Sequence, residues 1–190
     1  MRALALLLVG LAGAANAAAP VPPSTSSNAQ VPQFSARFEL QTLDGHAVTN
    51  ESYRGRWLLV YFGYTFCPDV CPTVLIDVGH ALNALGPLAD RIQPIFITVD
   101  PVRDTARHMA EYLQAFSPRI VGLRGDPDQI EFTAKQFHAY YRAHSLGNGN
   151  YAVDHSSFLY LLAPDGRVVK VLPDSLRDGK LADELRQLVR

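Results

Sequence analysis

Tyr61-Phe-Gly-Tyr-Thr-Phe-Cys-Pro-Asp-Val-Cys-Pro-Thr73 holds both cysteines of the chain, Cys67 and Cys71, directly behind the apolar run Trp57 to Phe62. Such a run, rich in aromatic and aliphatic residues and closed by Gly63, predicts a buried strand that delivers a loop at its end. Pro72 suits the first position of a helix, where its missing N–H would have no partner anyway, so a helix is expected from there. Val74, Leu75, Val78, Leu82 and Leu85 then fall on one apolar face, and Gly86-Pro87 stops it. This puts Cys71 at the N-cap and Cys67 in the loop before it. The unpaired amides and dipole of a helix start favour negative charge, so at least one thiol is expected to ionise more easily than a free cysteine.

Three fates are open to this pair. Two cysteines in an exported chain usually form a structural disulfide, but a bridge closing so short a loop restricts the unfolded chain only modestly. A redox dithiol of the thioredoxin kind is normally C-x-x-C, whereas this spacing is C-x-x-x-C; a metal site is the third reading.

Outward from the loop, Ile95 to Val99 is a second apolar run, making strand, helix, strand, a unit that pairs its strands in parallel through a right-handed crossover. Asp104 or Thr105 caps a helix to Phe116, ended by Ser117-Pro118; Ile120 to Leu123 is a short apolar stretch; Asp126-Pro127 starts another helix that ends near His138. Ala139 to Ala143 reads as a short strand and Ser145 to Asn150 as a loop. Phe158 to Leu162 and Val168 to Leu172 flank Asp165-Gly166 as a hairpin, and an amphipathic helix from Arg177 to Val189 closes the chain. Before the cysteines, Phe38, Leu40 and Thr42 alternate with polar residues up to Asp44-Gly45, after which Ala47 and Val48 return: a small N-terminal hairpin covering the edge. The order predicts an α/β, thioredoxin-like sandwich of the peroxiredoxin type, a central mixed sheet flanked by helices with an N-terminal β-hairpin.

In an open α/β sheet, sites gather at the carboxyl ends of parallel strands, which is where Cys67 and Asp100 fall. If the Phe158 strand runs antiparallel to those two, its beginning lies at the same edge, and His155 with it. The other histidines fit less well. His80 lies nine residues after Cys71, about 13 Å along the same helix and on its far side. His46 belongs to a turn, and His108 and His138 sit on helix bodies. His144 borders the 145–150 loop and stays open beside His155.

With 190 residues, 48% of them hydrophobic, and a formal net charge of −1, the chain is one ordinary domain with no basic patch for nucleic acid. Arg2, the apolar Ala3 to Ala15 and the small residues Ala15-Asn16-Ala17 have the layout of a secretory signal peptide over residues 1–17; the rival reading is an uncleaved anchor, the sole route to membrane association. Residues 18–33, with Pro20, Pro22, Pro23 and Pro32 and no charge, read as a solvated tether to a folded domain over 34–190. The folded part therefore belongs outside the cytoplasm, where thiols are oxidised unless kept reduced.

FGYTFCPDVCPT, then DPVRDT at Asp100 to Thr105, then YAVDHS at Tyr151 to Ser156, resemble in that order the Sco/SenC family of copper-binding, thioredoxin-like proteins. The resemblance implies that Cys67, Cys71 and His155 match the family's copper ligands. It implies a periplasmic copper chaperone that delivers the metal to the dinuclear copper centre of cytochrome c oxidase, or keeps that centre's cysteines reduced. The partner would be the oxidase's copper-bearing subunit or another periplasmic copper protein. The N-terminus departs from the family's common pattern of a membrane anchor or lipidated cysteine, which leaves the membrane attachment open but not the site. Two thiolates and an imidazole suit Cu(I), and hold Cu(II) if a further ligand completes a tetragonal geometry. Asp154 is a candidate to orient the imidazole, Asp100 and Arg103 to form an ion pair under the site, and Asp69 to shape the turn. The rival enzyme readings need no histidine: a thiol-disulfide oxidoreductase in which Cys67 attacks and Cys71 resolves, or a peroxiredoxin-like peroxidase. In the chaperone reading no residue is catalytic.

Overall fold

The computed structural model describes residues 34–176 and 179–189; the segments read as secretory signal and tether, and the expected helix start at Arg177, lie outside the described residues. In chain order the strands are β1 (Phe34–Ser35), β2 (Glu39–Thr42), β3 (Ala47–Thr49), β4 (Trp57–Gly63), β5 (Ile92–Thr98), β6 (Val121–Arg124), β7 (Tyr141–Gly147), β8 (Asn150–His155), β9 (Leu159–Leu162) and β10 (Arg167–Leu172). The helices are α1 (Val70–Leu85), α2 (Ala106–Gln114), α3 (Pro127–Gln136) and α4 (Lys180–Leu188). One mixed sheet runs β1-β10-β9-β4-β5-β6-β2-β3, and β7 with β8 forms a separate two-stranded ribbon.

β4 and β5 lie parallel at the centre, with Tyr61 opposite Phe96, and every residue of the pair except Trp57 is buried, as strands covered on both faces must be. Successive side chains of β4 take opposite faces. Tyr61 packs with Phe96, which meets Tyr112 of α2, on the side where α1 sits. Phe62 packs with Phe137, just past α3, and with Tyr160 of β9 on the other. The β2–β3 hairpin borders β6 at one edge, and β9–β10 turns at Gly166 as expected. β9 is antiparallel to β4, pairing Leu159 with Tyr61, so its start lies at the edge that carries the cysteine loop.

Two expectations shift, and one left open between two residues is resolved. α1 begins at Val70, its Asp69 carbonyl accepting from Thr73 N–H at 3.4 Å, so Pro72 lies inside the first turn, where no N–H is needed, and Cys71 is in that turn rather than at the cap. Thr105 caps α2, accepting from His108 N–H, while Asp104 turns inward. The stretch 145–150 is not a loop: β7 runs through to Gly147 and pairs with β8 across Asn148-Gly149, whose φ values of 54° and 77° are the two positive angles a tight hairpin turn demands.

Candidate metal and dithiol site

At the carboxyl edge of β4, Gly63 lets the chain turn close above the sheet. A Cβ there would stand 2.9 Å from the Cys71 sulfur and 2.9 Å from the Phe96 ring, so the missing side chain makes room for the thiol. The loop then folds back, Cys67 N–H donating to the Tyr64 carbonyl, and leaves Cys67 half-buried. Cys71, on the inward face of the first turn of α1, is fully buried. From the other direction β8 ends in His155. The two sulfurs and an imidazole nitrogen all lie within 4.8 Å of one another, with Cys71 Sγ 3.3 Å from His155 Nε2.

Neighbours fix each donor. The buried Tyr61 hydroxyl is 3.7 Å from Cys71 Sγ. His155 Nδ1 lies 3.1 Å from the Ser156 carbonyl, which can only accept, so Nδ1 donates there and Nε2 is the nitrogen that faces the sulfurs. The Tyr61 and Tyr64 rings stand edge to face against the imidazole at 6.1 and 5.7 Å.

Neither thiol is bridged, and their environments drive them apart. The hydrogen bond from Cys71 holds the Cys67 thiol far below the free range, to about 3, aided by His155 and by the backbone amides of Asp69 and Cys71. Burial pushes the Cys71 thiol up, and the charge on Cys67 beside it pushes further. One thiol is lowered as the sequence predicts, but chiefly by its neighbour; the helix-start amides help.

The remaining expected residues fall in different places. Asp100 and Arg103 do form an ion pair, with Asp100 nearly buried. Asp154 does not reach the imidazole: successive strand residues take opposite faces, so it points away from His155 and pairs with His144 across the ribbon at 3.2 Å. The Ser156 carbonyl takes the orienting role instead. Asp69 occupies the N-cap position of α1 without a side-chain capping bond. His46 pairs with Asp44, His138 packs on Phe34, His80 is exposed on α1 and His108 lies against Phe66.

Sequence reasoning missed Asp104, which is fully buried and accepts from Thr65 N–H at 3.1 Å and from the Thr65 and Thr98 hydroxyls at 2.5 and 2.6 Å. It ties the thiol loop to the end of β5. The signal was present in Asp100-Pro-Val-Arg-Asp-Thr105, where a second acid beside a good capping threonine has no surface task to do. Tyr151 was missed too, although Tyr151, Val153 and His155 fall at alternating positions that share one strand face.

The sequence pattern of the SCO1/SenC family matches residues 26–190. The chain belongs to the SCO1/SenC family. As a SCO1/SenC member it is 36% identical over 163 residues to the mitochondrial SCO1 homolog of Homo sapiens, covering 84% of this chain and 54% of that protein. It thus spans about half the length of the curated relatives it matches. Bradyrhizobium japonicum ScoI, solved with copper bound, superposes with a TM-score of 0.74 at 39% identity, over 81% of this chain and 98% of that one. BsSco, described as a member of the Sco family of cytochrome c oxidase assembly proteins with a disulfide switch, gives 0.66 at 25% identity, over 83% and 92%. The SCO1/SenC fold seen here is thioredoxin-like, as the element order predicts.

Proposed function

We propose that the chain is a copper chaperone: Cys67, Cys71 and His155 bind copper at the exposed edge and pass it to a partner in cytochrome c oxidase assembly, the copper-bearing subunit with its dinuclear centre. The observation that supports this most is the convergence of two sulfurs and one imidazole within 4.8 Å of one another, drawn from a loop, a helix and a separate ribbon. Copper is cargo here. The soft sulfurs and the imidazole fit Cu(I), and Cu(II) with one further ligand. Transfer is ligand exchange, and the half-buried Cys67 is the sulfur a recipient reaches first. In this reading residues 1–17 direct export, 18–33 tether the domain, and the domain works in the periplasm, free or held at the inner membrane.

Titration of the reduced protein with Cu(I) against a competing chelator tests it, alongside Cys67→Ala, Cys71→Ala and His155→Ala. One tight equivalent, lost in all three variants, is expected. Binding indifferent to His155 would sink the three-ligand site.

A second reading is favoured by the asymmetry of the thiols: Cys67 is accessible and ionised, Cys71 buried and protonated. In a thiol-disulfide exchange, the Cys67 thiolate attacks one sulfur of a partner disulfide and releases the partner's first thiolate. The Cys71 sulfur, losing its proton, then attacks Cys67 and frees the second. The partner gains two electrons and this chain is left with a Cys67–Cys71 bridge. His155→Ala keeps both sulfurs and the larger contribution of Cys71 to the Cys67 thiolate, so thiol exchange survives it while tight copper binding does not, which separates the two readings.

A further inference from the structure

Arg103 joins two parts of the site that lie far apart in sequence. Its Nε pairs with Asp100, and its NH1 donates to the Tyr151 carbonyl at 2.8 Å. Its guanidinium carbon stands 3.6 Å from the Tyr151 ring centroid, 5.0 Å from that of Phe66 and 5.6 Å from that of Tyr64. Tyr151 in turn donates its hydroxyl to Asp100 at 2.8 Å. Tyr64 and Phe66 belong to the segment that carries Cys67, and Tyr151 belongs to β8. The tyrosine is thus gripped by ring, hydroxyl and carbonyl, and each grip comes from residues on the thiol side of the site.

The ribbon needs such a grip because it shares no ladder with the main sheet. At its root, Ser156 N–H donates to the Tyr140 carbonyl at 2.8 Å and Tyr140 N–H to the Ser156 hydroxyl at 2.9 Å. These bonds fix where the ribbon starts, and side-chain contacts fix how it leans. Tyr151, Val153 and His155 share the inward face of β8: Val153 is buried, its N–H donating to the Tyr64 hydroxyl at 3.4 Å, and His155 meets Cys71. A change of lean at Tyr151 is carried along that face to the imidazole.

We propose that Tyr151, held by Asp100 and Arg103, is the positioning residue that sets the place of His155 against the two thiols and so governs how fast the site releases its ion. The inference rests on the three-ligand copper reading and deepens it. Removing the hydroxyl leaves the ring, the carbonyl contact and the thiols in place but frees the lean of the ribbon. The imidazole then spends less time in ligand range.

The test measures the rate of Cu(I) loss to a competing chelator in the wild type, Tyr151→Phe, His155→Ala and the double variant. Outer contacts of this kind typically alter metal binding by about 10-fold or more, so Tyr151→Phe should speed release about 10-fold. In His155→Ala the two sulfurs hold copper only weakly, and from that weaker site the same change should leave the release rate unaltered, because the tyrosine acts only through the imidazole. In the reduced, metal-free Tyr151→Phe protein, the ring proton resonances of His155 should shift or broaden while those of His46 stay fixed. An unchanged release rate in Tyr151→Phe, or an equal acceleration in both backgrounds, overturns the inference and leaves the copper site standing. A His155→Ala protein that holds copper as the wild type does overturns the three-ligand reading, and the inference with it.

Discussion

Cys71 rides on a helix whose inward face is sealed against the central strands, whereas His155 ends a ribbon that joins no other strand and turns most of β7 to solvent. The thiol half is held by ladder bonds on both sides of β4 and by buried aromatic contacts above and below it. The histidine half depends on a few side-chain grips and two bonds at its root. A site built this way ties its sulfurs to the central sheet and its third donor to far fewer contacts, an asymmetry that suits the copper transfer proposed above.

Substitutions at four positions sharpen or break that contrast. The largest effect is expected for Phe62→Ala, which empties the space between Phe137 and Tyr160 beneath β4. It should lower the unfolding free energy by about 3–5 kcal/mol in urea denaturation, and the thiol half should be lost together with the fold.

Next comes Asp104→Ala. It leaves the Thr65 N–H and the Thr98 hydroxyl without their acceptor and should cost about 2–3 kcal/mol. Burial raises the Asp104 carboxyl, and the bonds from Thr65 and Thr98 offset this only in part. The folded protein therefore keeps a proton there to higher pH than the unfolded chain does. The group's contribution is greatest below the ordinary carboxylate range and falls as pH rises through the raised value. The stability difference between wild type and Asp104→Asn should accordingly narrow toward neutral pH; a difference that widens would contradict the assignment.

Gly63→Ala tests the fit of the thiol itself. Its new Cβ meets the Cys71 sulfur and the Phe96 ring at 2.9 Å, so one of them must move. A loss of about 1–2 kcal/mol is expected, with a fall in Cu(I) affinity larger than the stability change alone explains. The smallest effect belongs to the ribbon. Gly149→Ala forces an L-residue to a φ of 77° and should cost about 1 kcal/mol locally. Faster amide exchange in β7 and β8 with unchanged protection of β4 and β5 would show that the two halves open separately; equal acceleration in both would erase the distinction.

Much of this site was legible in the chain itself. The cysteine spacing, the strand before it and the proline-marked helix start located the dithiol, because each is a local signal with its own stereochemistry. His155 required a topological step, that β9 runs antiparallel to β4, and the strand pairing supplies it. Its orienting partner was misread: Asp154 is adjacent in sequence, but alternation along a strand sends neighbours to opposite faces, and a backbone carbonyl does the work instead. The 145–150 stretch was misread for the opposite reason. Its polar, glycine-rich composition looks like a loop, yet Asn148-Gly149 is a turn signal between two strands.

By itself, then, the sequence determined the α/β order and the place of the dithiol behind a central strand, since periodicity, turn residues and helix starts act over a few residues. Tertiary structure alone decided which thiol is buried and which is ionised, that Asp104 faces inward, and that Arg103 links the thiol loop to Tyr151. Those depend on which groups meet across dozens of residues of chain, and burial, charge and hydrogen bonding are properties of the meeting rather than of the residues that take part.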